Sequence, residues 1–157
     1  GYLHDIGKIG IDPGLLEKNG RPTDGEFQMI KLHPYFTGQI LAELQSSEWF
    51  KDIVSWAENH HEKIDGNGYP RGLKGEEIDK GGRIIALADV ITALMENRPY
   101  REGMSVEKAF KIIREEIAPN ISSEMFTEVE KHVEEVELLV TKCKEYSSEE
   151  YKKGIIQ

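Results

Sequence analysis

Two adjacent histidines, His60 and His61, run directly into a segment rich in turn residues, Asp65-Gly66-Asn67-Gly68-Tyr69-Pro70. Neighbouring residues on a helix point about 100° apart, so two such side chains reach one ion comfortably only where a helix is ending. The apolar helical period is lost after Asn59, and the glycines and proline that follow prevent its return. The sequence therefore predicts that both imidazoles lie at a helix end.

Further histidines and aspartates stand elsewhere in the chain as a His-Asp pair, a single histidine and an aspartate within an apolar run. Each alone is more common as a helix cap or a structural side chain than as a ligand. Together they are many polar groups for a core that has no other use for them. Imidazole and carboxylate form the ligand mix of Fe, Mn, Zn or Ni rather than of Ca or Mg alone. The candidate metal ligands are His4, Asp5, His33, His60, His61 and Asp89.

Composition sets limits on the function. The chain has 157 residues, 38% of them hydrophobic, which suits one globular domain, predicted over residues 1–146 with a polar tail over 147–157. No apolar run reaches the roughly 20 residues of a membrane span, so no membrane contact by this domain is expected. The net charge of −9 argues against binding long nucleic acid but allows a small anionic ligand, because metal ions and a few arginines reverse the local potential.

Cysteine usage and the chain start add two expectations. A single cysteine, Cys143, excludes a disulfide framework and agrees with a reducing, cytoplasmic compartment. It falls in a predicted helix and is expected to be a small buried hydrophobe. The sequence opens in mid-pattern on Gly1, without an initiator Met, so the N-terminal part of the domain is expected to be missing.

The elements that must position these residues are predicted to be helices, because no segment shows strand alternation. Asp12-Pro13 and the capping box that begins at Thr23 start two of them. Pro34 is expected to hold His33 in non-helical geometry. Amphipathic helices follow over 36–45 and 48–59, and a central helix, apolar nearly all round, runs over 77–96. A further helix begins after Ser105, and a single long last helix begins after Ser122 or Ser123, with His132 on its solvent side. The fold class is all-α.

Several segments together resemble the HD-GYP domains, a branch of the HD metal-dependent phosphohydrolases. The matching segments are His4-Asp5-Ile6-Gly7-Lys8-Ile9-Gly10, Leu32-His33-Pro34, His60-His61-Glu62, Asp65-Gly66-Asn67-Gly68-Tyr69-Pro70, Gly72-Leu73-Lys74-Gly75-Glu76-Glu77-Ile78, Arg83-Ile84-Ile85-Ala86-Leu87-Ala88-Asp89-Val90 and Arg98-Pro99-Tyr100-Arg101. Their order and separations fit over about residues 2 to 117. The resemblance implies an HD-domain helical bundle around a di- or tri-metal site.

The resemblance also implies a function, hydrolysis of cyclic di-GMP to pGpG and in some members on to GMP. Two or three divalent ions, Fe or Mn, would be held by His4, Asp5 and Asp89 on one side and by His33, His60 and His61 on the other, with Asp5 bridging. Asp5 and Lys8 would be catalytic, Lys8 by neutralising phosphate charge or assisting the leaving oxygen. The expected substrate contacts are Tyr69, Pro70, Arg98 and Arg101. Expected partners are a covalently linked upstream sensory or receiver domain and diguanylate cyclase (GGDEF) proteins.

Departures from the family pattern keep alternatives open. Thr92 stands where the family usually has an aspartate, and Asn97 replaces an acidic residue before Arg98. The family's further metal ligands would precede Gly1. The alternatives are a catalytically degenerate cyclic di-GMP receptor or protein-interaction module, and an HD phosphohydrolase for another cyclic dinucleotide or nucleotide.

Overall fold

The computed structural model describes residues 2–43, 48–97 and 102–152. Within these ranges no β-sheet forms, and the only extended pairing is an isolated antiparallel bridge between Asp65 and Lys74. The helices are α1 (Pro13–Leu16), α2 (Asp24–Ile30), α3 (His33–Glu43), α4 (Glu48–Glu58), α5 (Lys80–Met95), α6 (Val106–Ile112), α7 (Ala118–Ile121), α8 (Ser123–Glu130) and α9 (Val133–Lys152). Short 3₁₀ turns cover Ile6–Gly10 and Gly75–Glu77, and a π-helical turn covers Ile113–Ile117. The all-α prediction is confirmed.

Local capping signals begin several of the helices where the sequence predicts them. The Asp12 carboxylate accepts a hydrogen bond from the Gly14 amide at the start of α1. Thr23 and Glu26 form the reciprocal capping box at the start of α2. Ser122 accepts a hydrogen bond from the Met125 amide and begins α8. These polar side chains satisfy amide groups that have no partner within their own helix.

The position of His33 corrects one expectation. His33 is the first residue of α3, rather than a non-helical residue between two helices, and Pro34 lies within the first turn. A proline is tolerated there because the amide it lacks would have no intrahelical acceptor.

The second half of the chain differs from prediction in three further ways. The predicted last helix is two helices, because the chain turns at Lys131–His132 between α8 and α9. Cys143, expected to be buried, is exposed on α9. Helix α5, expected to be central, is not buried all round, since Ile84 is 58% exposed. His132 is exposed as expected, and α9 continues to Lys152, beyond the predicted start of the tail.

The chain divides into two compact units, Gly1–Ala86 and Leu87–Gln157. In the first, α3 packs against α4 around Leu41, Val54, Ala57 and Phe50, and the 3₁₀ turn at Ile6–Gly10 packs on α3. In the second, the rings of Phe110 and Phe126 pack edge to face, with their centroids 5.3 Å apart. None of the described helices is both long and apolar enough to cross a membrane.

Gly7 holds the His4–Asp5 segment against α3. A Cβ at this position would lie 2.0 Å from the His33 carbonyl oxygen and 2.4 Å from the Thr37 amide nitrogen. The Gly7 amide donates to Thr37 Oγ1 at 2.9 Å, and that hydroxyl donates to the His4 carbonyl at 3.0 Å. The backbones approach too closely for any side chain, so the sequence step His-Asp-Ile-Gly fixes how far Asp5 lies from His33.

We expect Gly7→Ala to destabilise the protein by at least about 1–3 kcal/mol, since the new methyl group overpacks two backbones that cannot move apart independently. Gly25→Ala is the matched control, because nothing lies within 4 Å of its Cβ. That change should be neutral or slightly stabilising in the helix. Urea unfolding of both variants measures the difference, and equal midpoints would contradict the packing argument.

Candidate metal centre

Four of the predicted ligands come together in the first unit. Asp5, His33, His60 and His61 each offer one donor atom, and these atoms all lie within 4.8 Å of one another. Asp5 precedes the 3₁₀ turn at Ile6–Gly10, and His33 begins α3. The two adjacent histidines follow the end of α4 at Glu58, as predicted from the loss of the helical period. Three separate segments therefore meet at one point.

Backbone carbonyls orient two of the imidazoles. The ring Nδ1 of His33 lies 2.7 Å from the Ile30 carbonyl oxygen, and the Nδ1 of His60 lies 2.6 Å from the Ala57 carbonyl oxygen. Since a carbonyl only accepts, each Nδ1 carries the hydrogen and each Nε2 presents its lone pair. A hydrogen bond from Nδ1 to a carbonyl holds the ring so that Nε2 is free to bind a metal.

The donor atoms face one another without hydrogen bonds. Asp5 Oδ1 lies 3.1 Å from His33 Nε2 and 3.8 Å from His60 Nε2. In the described part of the chain, these three buried atoms have no hydrogen-bond partner. Buried polar atoms left in that condition are costly. A divalent cation among them would satisfy all three at once, and mixed imidazole and carboxylate donors suit Fe, Mn, Zn or Ni.

The protonation states agree with that use. Burial lowers the pKa of the His60 imidazole to about 4, so the ring is neutral near pH 7. Burial raises the pKa of the Asp5 carboxyl, but the Lys8 ammonium, which donates a hydrogen bond to it, holds that pKa well below its usual range. The cluster thus places the Asp5 carboxylate beside the neutral His60 imidazole, and these are the forms that bind a metal.

The remaining predicted residues have separate placements. His4 Nε2 lies 3.5 Å from Asp5 Oδ2, and Lys8 Nζ lies 2.5 Å from that same oxygen. Asp89 is half-buried within α5, in the second unit, and its part in a metal site stays a prediction. Arg98 and Arg101 lie outside the described residues.

The loop that carries Tyr69 and Pro70 folds back onto the histidine pair. The Tyr69 amide donates to the His61 carbonyl at 3.2 Å, and the two rings lie 4.7 Å apart between centroids. Pro70 is half-buried beside Tyr69. A Cβ on Gly68 would lie 2.3 Å from the Lys63 nitrogen and 2.5 Å from the Glu62 Cα, so the loop packs directly on the backbone after His61.

Two residues that were not predicted from the sequence hold this arrangement, namely Glu62 and Thr37. Glu62 is 3% exposed, and its carboxylate accepts the amides of Arg71, Gly72 and Leu73 at 2.6, 3.1 and 2.9 Å. Thr37 is fully buried and binds the His4–Gly7 segment. Thr37 lies four residues after His33 on α3, so the helical period alone would have placed it on the same face. No periodic signal marks Glu62, because its partners follow it in a loop.

The neutral side chains that stand in place of two expected acidic residues both form hydrogen bonds within the protein. Thr92 Oγ1 donates to the Ala88 carbonyl of its own helix at 2.9 Å. Asn97 Oδ1 accepts a hydrogen bond from the Gly103 amide at 2.8 Å. Both side chains therefore have structural roles that do not depend on a ligand.

Together, an all-α unit and a buried cluster of imidazole and carboxylate donors define a helical domain whose side chains could hold a metal. A family model described as HD domain matches residues 1–147, and the chain belongs to that family. Phosphohydrolases of this family are metal-dependent, and the cluster of Asp5 with three histidines could hold a metal. The HD-GYP resemblance of the motifs is consistent with this membership.

Curated relatives carry more specific names. A 3′3′-cGAMP-specific phosphodiesterase 3 of Vibrio cholerae is 42% identical over 129 residues, which are 82% of this chain and 27% of the relative. A cyclic di-GMP phosphodiesterase of the same organism is 45% identical over 117 residues, 72% of this chain and 24% of the relative. A cyclic di-GMP phosphodiesterase of Thermotoga maritima is 40% identical over 138 residues, which are 85% of this chain and 37% of the relative. The chain thus spans well under half the length of each.

Replacing Glu62 by Gln should loosen the loop that bears Tyr69. The amide group of Gln would place a donor opposite a backbone N–H, leaving a buried amide without its acceptor at a cost of about 1–3 kcal/mol. Urea unfolding gives the stability change, and hydrogen exchange should show faster exchange at the amides of residues 71–73. Glu17→Gln, at an exposed carboxylate, is the control. Unchanged exchange in Glu62→Gln would refute the anchoring role.

Proposed function

We propose that this chain is a metal-dependent phosphodiesterase domain that hydrolyses cyclic di-GMP to pGpG, and to some extent on to GMP. The observation that carries the proposal is the set of buried donor atoms of Asp5, His33 and His60, which face one another without hydrogen bonds. The names of the cyclic di-GMP phosphodiesterases that it resembles support the substrate.

The proposed metal ligands are those expected from the sequence, namely His4, Asp5, His33, His60, His61 and Asp89. Two or three divalent ions, Fe or Mn, would be held there, since this donor mix suits both metals. When bound, the ions supply Lewis acidity towards the phosphoryl oxygens of the scissile phosphodiester. Asp5 would bridge the ions, and its two oxygens face different neighbours. Oδ1 faces His33 and His60, whereas Oδ2 faces His4 and Lys8.

Lys8 and Tyr69 would act on the substrate rather than on the metal. The Lys8 ammonium, 42% exposed and 2.5 Å from Asp5 Oδ2, stands at the edge of the cluster, where it can neutralise a phosphate oxygen or protonate the leaving oxygen. The half-buried Tyr69 ring, beside His61, offers an aromatic face to a guanine base. Pro70, Arg98 and Arg101 complete the proposed substrate contacts, and an arginine fork suits both phosphate and guanine.

A second candidate substrate is 3′3′-cGAMP, because a 3′3′-cGAMP-specific phosphodiesterase is 42% identical to this chain. Both cyclic dinucleotides present a phosphodiester to the cluster and differ in one base. The alternative is a receptor that binds cyclic di-GMP without cleaving it, and formation of pGpG or GMP would exclude it. A linked upstream sensory or receiver domain and GGDEF partner proteins are proposed from the resemblance, in keeping with the greater length of the relatives.

Asp5→Ala tests the metal assignment. Loss of a bridging carboxylate should lower turnover of cyclic di-GMP by roughly 100-fold or more and reduce bound metal, because both ions lose a ligand. The protein is reconstituted anaerobically with Fe(II) or Mn(II), product formation is followed by chromatography, and metal is measured by mass spectrometry. Asp52→Ala, at an exposed site on α4, should change neither quantity. An active, metal-replete Asp5→Ala protein would refute the assignment.

Tyr69→Ala separates substrate binding from metal binding. Base stacking on an aromatic ring is worth about 1–3 kcal/mol, so the Kd for cyclic di-GMP should rise about tenfold. Metal content should stay at the parent level. Tyr35→Ala removes an exposed tyrosine of α3 and is expected to leave the Kd unchanged. Loss of metal in Tyr69→Ala with unchanged affinity would contradict the loop's proposed role.

A further inference from the structure

The ammonium group of Lys31 contacts two aromatic rings, one of which lies beside the histidine cluster. It follows α2 directly and is half-buried. Its Nζ lies 5.0 Å from the centroid of the Phe27 ring and 5.3 Å from that of the Tyr69 ring. Both distances fall within the range of cation–π interactions. The two rings restrain the ammonium without cancelling its charge.

Several other cations of the first unit are paired with carboxylates. Lys8 contacts Asp5 at 2.5 Å, and Lys18 contacts Glu26 at 2.6 Å. Arg71 pairs with Glu58. Among the described residues, Lys31 forms no ion pair with any carboxylate, although the chain carries a net charge of −9. An acidic chain that binds an anion needs a local cation, and Lys31 keeps its charge available for one.

Tyr69 connects this charge to the cluster. Its ring contacts Lys31 and also lies 4.7 Å from the His61 ring and 6.5 Å from the His33 ring. The Tyr69 ring therefore contacts both the Lys31 ammonium and the histidine rings of the cluster. A protonated lysine has no lone pair for a metal, so its position suits a second anionic group of a ligand whose first anionic group lies at the cluster.

We infer that Lys31 binds the phosphate of the cyclic dinucleotide that is not being cleaved. The inference rests on the proposed function, since it takes a cyclic dinucleotide as the ligand. Such a ligand carries two phosphodiesters, and the cluster with Lys8 accounts for one of them. Lys31 would neutralise the other while Tyr69 contacts a base, which makes Lys31 a determinant of specificity for ligands with two phosphates.

The test compares two ligands in the metal-reconstituted protein. Cyclic di-GMP carries two phosphates, whereas the linear dinucleoside monophosphate GpG has the same two guanines and a single phosphodiester. Lys31→Met removes the charge and keeps an unbranched apolar side chain over the rings. Its Kd for cyclic di-GMP should rise about tenfold or more, as expected for losing a charge-assisted hydrogen bond, while its Kd for GpG stays within about twofold of the parent.

Two control variants isolate the charge. Lys31→Arg should restore most of the affinity for cyclic di-GMP. Lys80→Met makes the same change in net charge at an exposed lysine that begins α5, and should leave both Kd values unchanged. Urea midpoints and metal contents of all variants are measured alongside, and these should match the parent.

The outcomes distinguish the two proposals. If the parent binds cyclic di-GMP and Lys31→Met binds it equally well, the Lys31 inference is wrong and the proposed function stands. If Lys31→Met weakens both ligands equally, Lys31 only positions Tyr69, and the inference is again wrong. If the parent neither binds nor cleaves cyclic di-GMP, the proposed function and the Lys31 inference both fail. Selective loss for the two-phosphate ligand, restored by Lys31→Arg, supports both.

Discussion

Two hydrogen bonds from imidazole to backbone determine what the centre of the first unit can do. His33 and His60 each give their Nδ1 hydrogen to a carbonyl three residues earlier, at Ile30 and Ala57. In each case the acceptor is a carbonyl freed at or near a helix end, where intrahelical partners run out. The rings are thereby turned so that both Nε2 atoms point at Asp5, and the same carbonyl contact that fixes the ring also fixes the tautomer.

The consequence is an arrangement that is unfavourable without a cation. Lone pairs of His33 and His60 face the Asp5 carboxylate with no hydrogen bond between them, while burial keeps His60 neutral. Desolvation of these polar atoms lowers the free energy of unfolding of the metal-free protein. Metal binding would recover that cost, so we expect binding and folding of this unit to be coupled.

Close backbone packing supplies the precision that the centre needs. Gly7 brings one segment against α3, and Gly68 brings the Tyr69 loop against the residues after His61, each with no space for a Cβ. Buried polar side chains add hydrogen bonds to these contacts. Thr37 accepts the Gly7 amide, and Glu62 accepts backbone amides of the loop that follows Tyr69. The candidate metal donors and the neighbouring Tyr69 ring are therefore held by one connected set of contacts, and Lys31 joins that set through the Tyr69 ring.

Local chemistry made much of this predictable from the sequence. Helix starts at Asp12, Thr23 and Ser122 follow from side chains that cap their own amides, and the end of α4 before the histidine pair follows from the loss of an apolar period and the glycines beyond it. The candidate ligands follow from residue type, since few structural roles require so many imidazoles and carboxylates in a small core. These signals depend on neighbours within a few positions, which a sequence displays directly.

The tertiary structure decided what depends on distant partners. Asp5, His33 and His60 are far apart in sequence, and only the seating of Gly7 on α3 and the packing of α3 on α4 bring their donor atoms together. The anchoring by Glu62 escaped prediction because its amide partners begin nine residues later, in a loop without a period. The contact between Lys31 and the Tyr69 ring escaped it because Tyr69 lies in that same distant loop. Exposure of Cys143 was missed for the same reason, since an apolar period shows which face of a helix could be buried but not whether another element covers it.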